Sequence, residues 1–153
     1  MQRLLLTFIC LKQKYFQEGF LLMNTLVNIK EMQEMAQRWN KQGLSIGFVP
    51  TMGYLHNGHI SLIEKARAEN NKVIVSIFVN PIQFCPGEDF DKYPRDTGHD
   101  SKVCAASGVD LLFMPDAAEM YPPDFFTFVD IQQLGNGLCG ARRPGHFRGV
   151  CTV

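Results

Sequence analysis

Seven consecutive residues, Val73-Ile74-Val75-Ser76-Ile77-Phe78-Val79, restrict the fold more than any other part of this chain. They are nearly all apolar, mostly β-branched, and show no alternation of polar and apolar positions. A strand with one wet face alternates; a strand covered on both faces does not, and that pattern belongs to parallel sheets with helices on each side. Residues 44–49 read as a shorter strand of the same kind, and residues 59–69 between the two read as a helix with Ile60, Leu62, Ile63 and Ala66 facing inward. Strand, helix and strand within about 35 residues make a βαβ unit. The pattern then repeats, with a helix expected over 100–107 and a buried strand over 109–114, ended by Pro115. The expected class is therefore α/β, a Rossmann-like parallel sheet with flanking helices.

Before this core, residues 28–41 read as a helix. Asn28 and Glu31 resemble a capping box, Ile29, Met32, Met35, Ala36 and Trp39 share one face, and Gly43 supplies a stop. The stretch 80–95, with Pro81, Pro86, Gly87 and Pro94, reads as a long loop of the functional kind. Residues 125–131 read as a short peripheral strand, and the glycines and proline of 135–149 as irregular chain.

Fifteen basic and fifteen acidic residues among 153 leave no net charge, so nothing in the sum favours nucleic acid or an acidic membrane. No stretch approaches the ~18 apolar residues of a membrane span. Met1-Gln2-Arg3 and the apolar run 4–11 resemble a signal peptide, but Lys12-Gln13-Lys14 stands where a small-residue cleavage site belongs. With a second methionine at position 23, residues 1–22 read as a mis-assigned start or a dispensable extension, and 23–153 as a partial nucleotide-binding domain. The five cysteines, at 10, 85, 104, 139 and 151, form no C-x-x-C pair and read as thiols of a reducing cytoplasm.

Chemistry concentrates in Pro50-Thr51-Met52-Gly53-Tyr54-Leu55-His56-Asn57-Gly58-His59, between the first strand of the βαβ unit and its helix. Ligands of parallel α/β sheets bind outside the carboxyl ends of the strands. A helix N-terminus there offers unpaired N–H groups and a partial positive charge suited to phosphate. Gly53 and Gly58 permit a tight turn, and His56 and His59 add two donors; the two rings could also simply cap the helix. Neither a Walker A loop nor a G-x-G-x-x-G fingerprint is present, and two histidines three apart without H-E-x-x-H or paired cysteines give no metal site. Asn80 and Gln83, just past the next strand, face the same crevice or are ordinary strand-end polar residues.

His56-x-Gly58-His59 after a first strand resembles the signature of the HxGH nucleotidyltransferase superfamily. The longer string from Val49 to His59 is similar to the pantoate–β-alanine ligase (pantothenate synthetase) family. Three further blocks agree in order and spacing: the run from Val75 to Phe84, Tyr93-Pro94-Arg95, and the run from Arg143 to Val150. The resemblance spans about residues 24–153. It implies a dimeric, ATP- and Mg2+-using enzyme that adenylates pantoate and then transfers the acyl group to β-alanine. It lays Met52, Gly53, Tyr54, Leu55, His56, Asn57, Gly58 and His59 along ATP, with His59 matching the family's proton donor. It assigns Gln83 to pantoate and β-alanine, with Asn80 beside it, puts Tyr93 and Arg95 in a mobile cover, and lets Val150 and Val153 line the pantoate pocket. Arg142, Arg143, His146 and Arg148 either attract anionic substrates or brace a loop or dimer contact. The family's lysine-bearing GxKD-type motif, its Ser-Ser-Arg-type loop and its C-terminal domain find no counterpart, so the chain reads as a fragment with little activity alone. The competing readings are an inactive nucleotide-binding or dimerisation fragment and another HxGH transferase.

Overall fold

The computed structural model describes residues 23–153, so the expectations for residues 1–22 and Cys10 lie outside it. Four strands form one wholly parallel sheet: β1 (Asn24–Leu26), β2 (Ile46–Thr51), β3 (Lys72–Ile77) and β4 (Leu111–Phe113), in the spatial order β1-β4-β3-β2. Helices α1 (Ile29–Lys41), α2 (Asn57–Glu69) and α3 (Thr97–Ala106) are the crossovers, followed by three short helices, α4 (Ala117–Met120), α5 (Cys139–Arg142) and α6 (His146–Thr152).

The expected βαβ units are both present. β2 and β3 pair along six residues, Val49 opposite Val75, and β3 and β4 along three. Val73, Val75, Leu111 and Leu112 are wholly buried, as strands covered on both faces must be. Ile63 of α2, Cys104 of α3, Val109, Val49 and Leu55 complete the core. Burial pushes the Cys104 thiol up to about 12, with Asp100 adding to it, so this cysteine packs as a small protonated hydrophobe.

Several expectations need correction. β1 was not anticipated; its three residues lean on β4 for every pairing and carry too short a pattern to read. The peripheral strand expected over 125–131 does not form. Val129 is tied instead to the Thr152 hydroxyl, which accepts its N–H at 3.1 Å and gives its own proton to the Arg148 carbonyl at 2.6 Å. Leu62 points outward, 55% exposed, because a step of one residue from Ile63 turns about 100° around the helix. The stretch 135–149 holds α5 and the start of α6, and α3 begins at Thr97, before Gly98, because Asp96 caps it through the His99 N–H at 2.9 Å. Asn28 caps α1 through the Glu31 N–H as expected, but a distant carboxylate, Glu119, takes the Ile29 N–H and the Asn28 amide.

Candidate active site

The loop from Met52 to His56 leaves the carboxyl end of β2 and turns into α2. Gly53 and Tyr54 both lie in the left-handed region, with φ of 83° and 53°. Only glycine fits at 53, since a Cβ there would stand 2.9 Å from both Asp100 Oδ2 and Ile77 Cγ2. Tyr54 carries the strain of a side chain in that region, of order 1 kcal/mol. Two anchors hold it. The Leu55 side chain is 5% exposed and sits in the core. Asp100, from α3, accepts the Tyr54 N–H at 2.8 Å on one carboxylate oxygen and the Leu55 N–H at 2.7 Å on the other. Such charge-assisted bonds are about twice as strong as neutral ones. Asp100 is the residue that sequence reasoning missed. It lies some 45 positions away and looks like any acid in a first helical turn.

His56 is the N-cap of α2, and the caps run both ways. The Gly58 N–H donates to His56 Nδ1 at 3.1 Å, and the His56 N–H donates to His59 Nδ1 at 3.3 Å. The rings lie 4.1 Å apart between centroids, tilted by 47°. An imidazole whose Nδ1 accepts carries its neutral-state proton on Nε2. Each ring therefore keeps one N–H donor that no protein group engages among the described residues, at the N-terminus of a 13-residue helix. Desolvation lowers the His59 pKa below the usual histidine value; the neighbouring His56 lowers it further and Asp100 partly opposes both. The shift favours the neutral ring, which donates through Nε2. Both alternatives for the pair hold together: the rings cap the helix and still present donors.

His59 opens onto a cavity of about 390 Å³ that Pro50, Thr51, Met52, Gln83, Tyr93, Val150 and Val153 also line. Five candidate residues from four separate sequence blocks thus meet His59 at one wall. Among the other loop candidates, Tyr54, His56, Asn57 and Gly58 are solvent-exposed around the helix start, whereas the Leu55 side chain faces the core. Gln83 Nε2 donates only to the Met52 thioether at 3.1 Å, a weak acceptor that a carboxylate or hydroxyl would displace. Asn80 does not open onto this cavity. It is 1% exposed and fully engaged: its Nδ2 donates to Gln83 Oε1 and the Gly149 carbonyl, and its Oδ1 accepts from the Ile82 N–H and the Tyr121 hydroxyl. Arg95 donates to the carbonyls of Phe90 and Tyr93, both at 3.0 Å, and so ties its own loop. Arg143 pairs with Glu88, and Arg148 lies 4.0 Å over the Phe128 ring.

The pantoate-beta-alanine ligase family model matches residues 24–153. The chain belongs to the pantoate–β-alanine ligase family. Pantothenate synthetases of this family from Clostridium botulinum and Clostridium acetobutylicum are 56% and 58% identical over 131 residues, which is 86% of this chain and 47% of those proteins. The pantothenate synthetase of Thermus thermophilus superposes with a TM-score of 0.75 at 48% identity, covering 85% of this chain and 46% of that one. The Francisella tularensis ligase, solved with β,γ-ATP and β-alanine, gives 0.77 at 46% identity over 83% of this chain and 49% of its own. The chain spans about half the length of the curated ligases it matches.

Proposed function

We propose that residues 23–153 form the nucleotide- and pantoate-binding half of a pantoate–β-alanine ligase. The observation that carries this reading is the unspent Nε2–H donor of His59 on a cavity that Gln83 also lines, with that of His56 exposed at the same helix start. In the first step the pantoate carboxylate oxygen attacks the α-phosphorus of ATP, and the bond to the β-phosphate oxygen breaks, releasing pyrophosphate. In the second, the amine of β-alanine attacks the acyl carbon of pantoyl adenylate, loses a proton and expels AMP.

Each residue type suits its part in that scheme. Phosphoryl transfer is governed by positioning and by donors aimed at developing negative charge. His56 and His59 offer Nε2–H groups to the phosphate oxygens at a helix N-terminus that favours anions. With its pKa lowered by burial and by His56, His59 favours the neutral ring, which still donates through Nε2–H. Gln83 supplies an amide for the pantoate carboxylate or hydroxyls, and Val150, Val153 and Met52 supply apolar wall for its methyl groups. Tyr93 closes the cavity from the proline-rich loop. Holding carboxylate and phosphorus together contributes a further large share of the rate.

Among the described residues no three His, Cys, Asp or Glu side chains converge on a common point. Mg2+ keeps waters and phosphate oxygens as most of its ligands, and in this reading it arrives on the nucleotide. Among the described residues, no lysine or arginine lines the cavity around His59. The 153-residue chain is therefore expected to bind ATP and pantoate while turning over far more slowly than a complete ligase. The reading also carries a cytoplasmic homodimer, which sedimentation of the protein checks.

The deciding experiment is titration of the chain with ATP and with pantoate, followed by the ring-nitrogen NMR signals of His56 and His59. ATP is expected to move both Nε2 signals while leaving the Nδ1 signals in place. Pantoate is expected to move the Gln83 side-chain amide. Uptake of another nucleotide in preference to ATP, with no response to pantoate, would replace this reading with that of a different HxGH transferase.

A further inference from the structure

Gln83 is gripped from behind by groups to which the reaction scheme gives no part. Its backbone carbonyl accepts from His146 Nδ1 at 2.9 Å and from Arg143 Nη2 at 3.3 Å. A carbonyl acceptor fixes the proton of that ring on Nδ1, the opposite choice from His56 and His59. His146 Nε2 then accepts from Arg143 Nη1 at 3.1 Å. The rest of the guanidinium is bound by both oxygens of Glu88, Nη2 to Oε2 at 2.7 Å and Nε to Oε1. Glu88 in turn accepts the Cys85 N–H at 3.0 Å. Hydrogen bonding from Arg143, and then from the Cys85 N–H, holds the Glu88 carboxyl down at about 2, so the pair stays charged throughout the neutral range.

The other side of Gln83 is equally closed. Gly149 of α6 packs with no side chain at all on the 81–83 turn, and a Cβ there would stand 2.5 Å from Gln83 Cα and from the Ile82 carbonyl oxygen. The Asn80 amide bonds the Gln83 side chain and the Gly149 carbonyl together. The turn bearing Gln83 and the helix that carries Val150 and ends before Val153 are thus one locked unit, joined through Arg143 and His146.

We propose that Arg143 and His146 are positioning residues that set the Gln83 amide at the cavity wall, with Glu88 orienting the Arg143 fork. They touch no substrate and act on the acid-binding side alone, since neither bonds to the loop that carries His56 and His59. This rests on the reading of the cavity as the pantoate side.

The test uses the chain itself, with Arg143→Lys, His146→Asn and His146→Ala. Lysine keeps the charge and can still pair with Glu88, but it cannot span Gln83, His146 and Glu88 together. Asparagine can reproduce the Nδ1–H donor to the Gln83 carbonyl; alanine cannot. Arg143→Lys and His146→Ala are expected to broaden or shift the Gln83 side-chain amide signal and to weaken pantoate binding about tenfold, with ATP affinity held within about twofold. His146→Asn is expected to restore most of the pantoate affinity. In Arg143→Lys, the His146 Nε2 signal should shift as it loses its donor, while Nδ1 keeps the proton it gives to the Gln83 carbonyl. An unchanged Gln83 amide and pantoate affinity in both Arg143→Lys and His146→Ala would overturn the proposal, as would an equal loss of ATP binding. If the unsubstituted chain takes up no pantoate, the cavity reading fails, while the Gln83 amide and the His146 ring nitrogens still decide the positioning role.

Discussion

A buried carboxylate stands at each end of the sheet, and the two are satisfied in opposite ways. Asp110, at the amino end of β4, meets two cations: Arg67 from α2, and Lys72 at 2.8 Å, with the Val73 N–H also at 2.8 Å. Burial disfavours its charge, but the bonds from Lys72, the Val73 N–H and Arg67 outweigh this and hold its carboxyl below the usual range. Asp100, near the carboxyl ends of β2 and β3, takes only backbone N–H groups, those of Tyr54 and Leu55. At one end the charge is neutralised and the cations are used up. At the other, a carboxylate holds a strained turn through dipoles alone, so the nearby imidazole donors stay unspent. The two acids therefore differ in what they hold, not in their burial.

The sharpest way to break this contrast is Asp100→Ala. It leaves two inward-facing N–H groups without an acceptor and releases the turn at Tyr54, at an expected cost of about 3 kcal/mol in urea unfolding together with loss of measurable ATP binding. Asp110→Asn should cost less, about 2 kcal/mol, because Arg67 and Lys72 are about a third exposed and can turn to water. Its ATP affinity should match that of the unsubstituted chain; an equal loss in both variants would mean that the ends do not differ in kind. His59→Ala comes next, with ATP affinity falling about tenfold in calorimetry and stability by under about 1 kcal/mol, since the bond it removes lies at an exposed helix start.

The smallest expected effect is on pH dependence. The folded-state pKa of His59 is lowered, so the unfolded chain binds the proton more readily and stability falls as pH drops below about 6.5. The lowered pKa of Asp110 acts on a carboxylate: its contribution is present above about 3.8 and is lost as pH falls through the folded value. His59→Gln should flatten the first decline and leave the second. A first decline that survives the substitution would show that another group causes it.

These two ends were not equally legible in the sequence. Strand β3 declared itself because burial on both faces leaves Ser76 as the one polar residue between Val73 and Ile77, although the strand runs from Lys72 to Ile77 and stops short of the expected Val79. The turn before α2 declared itself through local spacing of glycine and histidine. Asp100 stayed hidden because its partners are backbone groups far along the chain, and backbone N–H groups have no letter. The expected strand at 125–131 failed for the complementary reason. Its aromatic and β-branched residues have the composition of a strand, but a ladder needs a neighbour, and here Thr152 offers a single hydroxyl. Asn80 was noticed by its position at a strand end, yet only its four partners reveal that the amide is inward glue, with Gln83 left facing the cavity.

The cap on α2 has a consequence beyond the helix. Serine, threonine, aspartate and asparagine outrank histidine as caps in general, and each would have served the backbone here. In the proposed reading, however, a carboxylate would have planted negative charge where the nucleotide's phosphates bind, and a hydroxyl would have had to divide one oxygen between host and guest. An imidazole has two nitrogens on opposite sides of a rigid ring. One is committed to the chain and the other is free for a visitor, so occupancy can begin and end without unfastening the first turn.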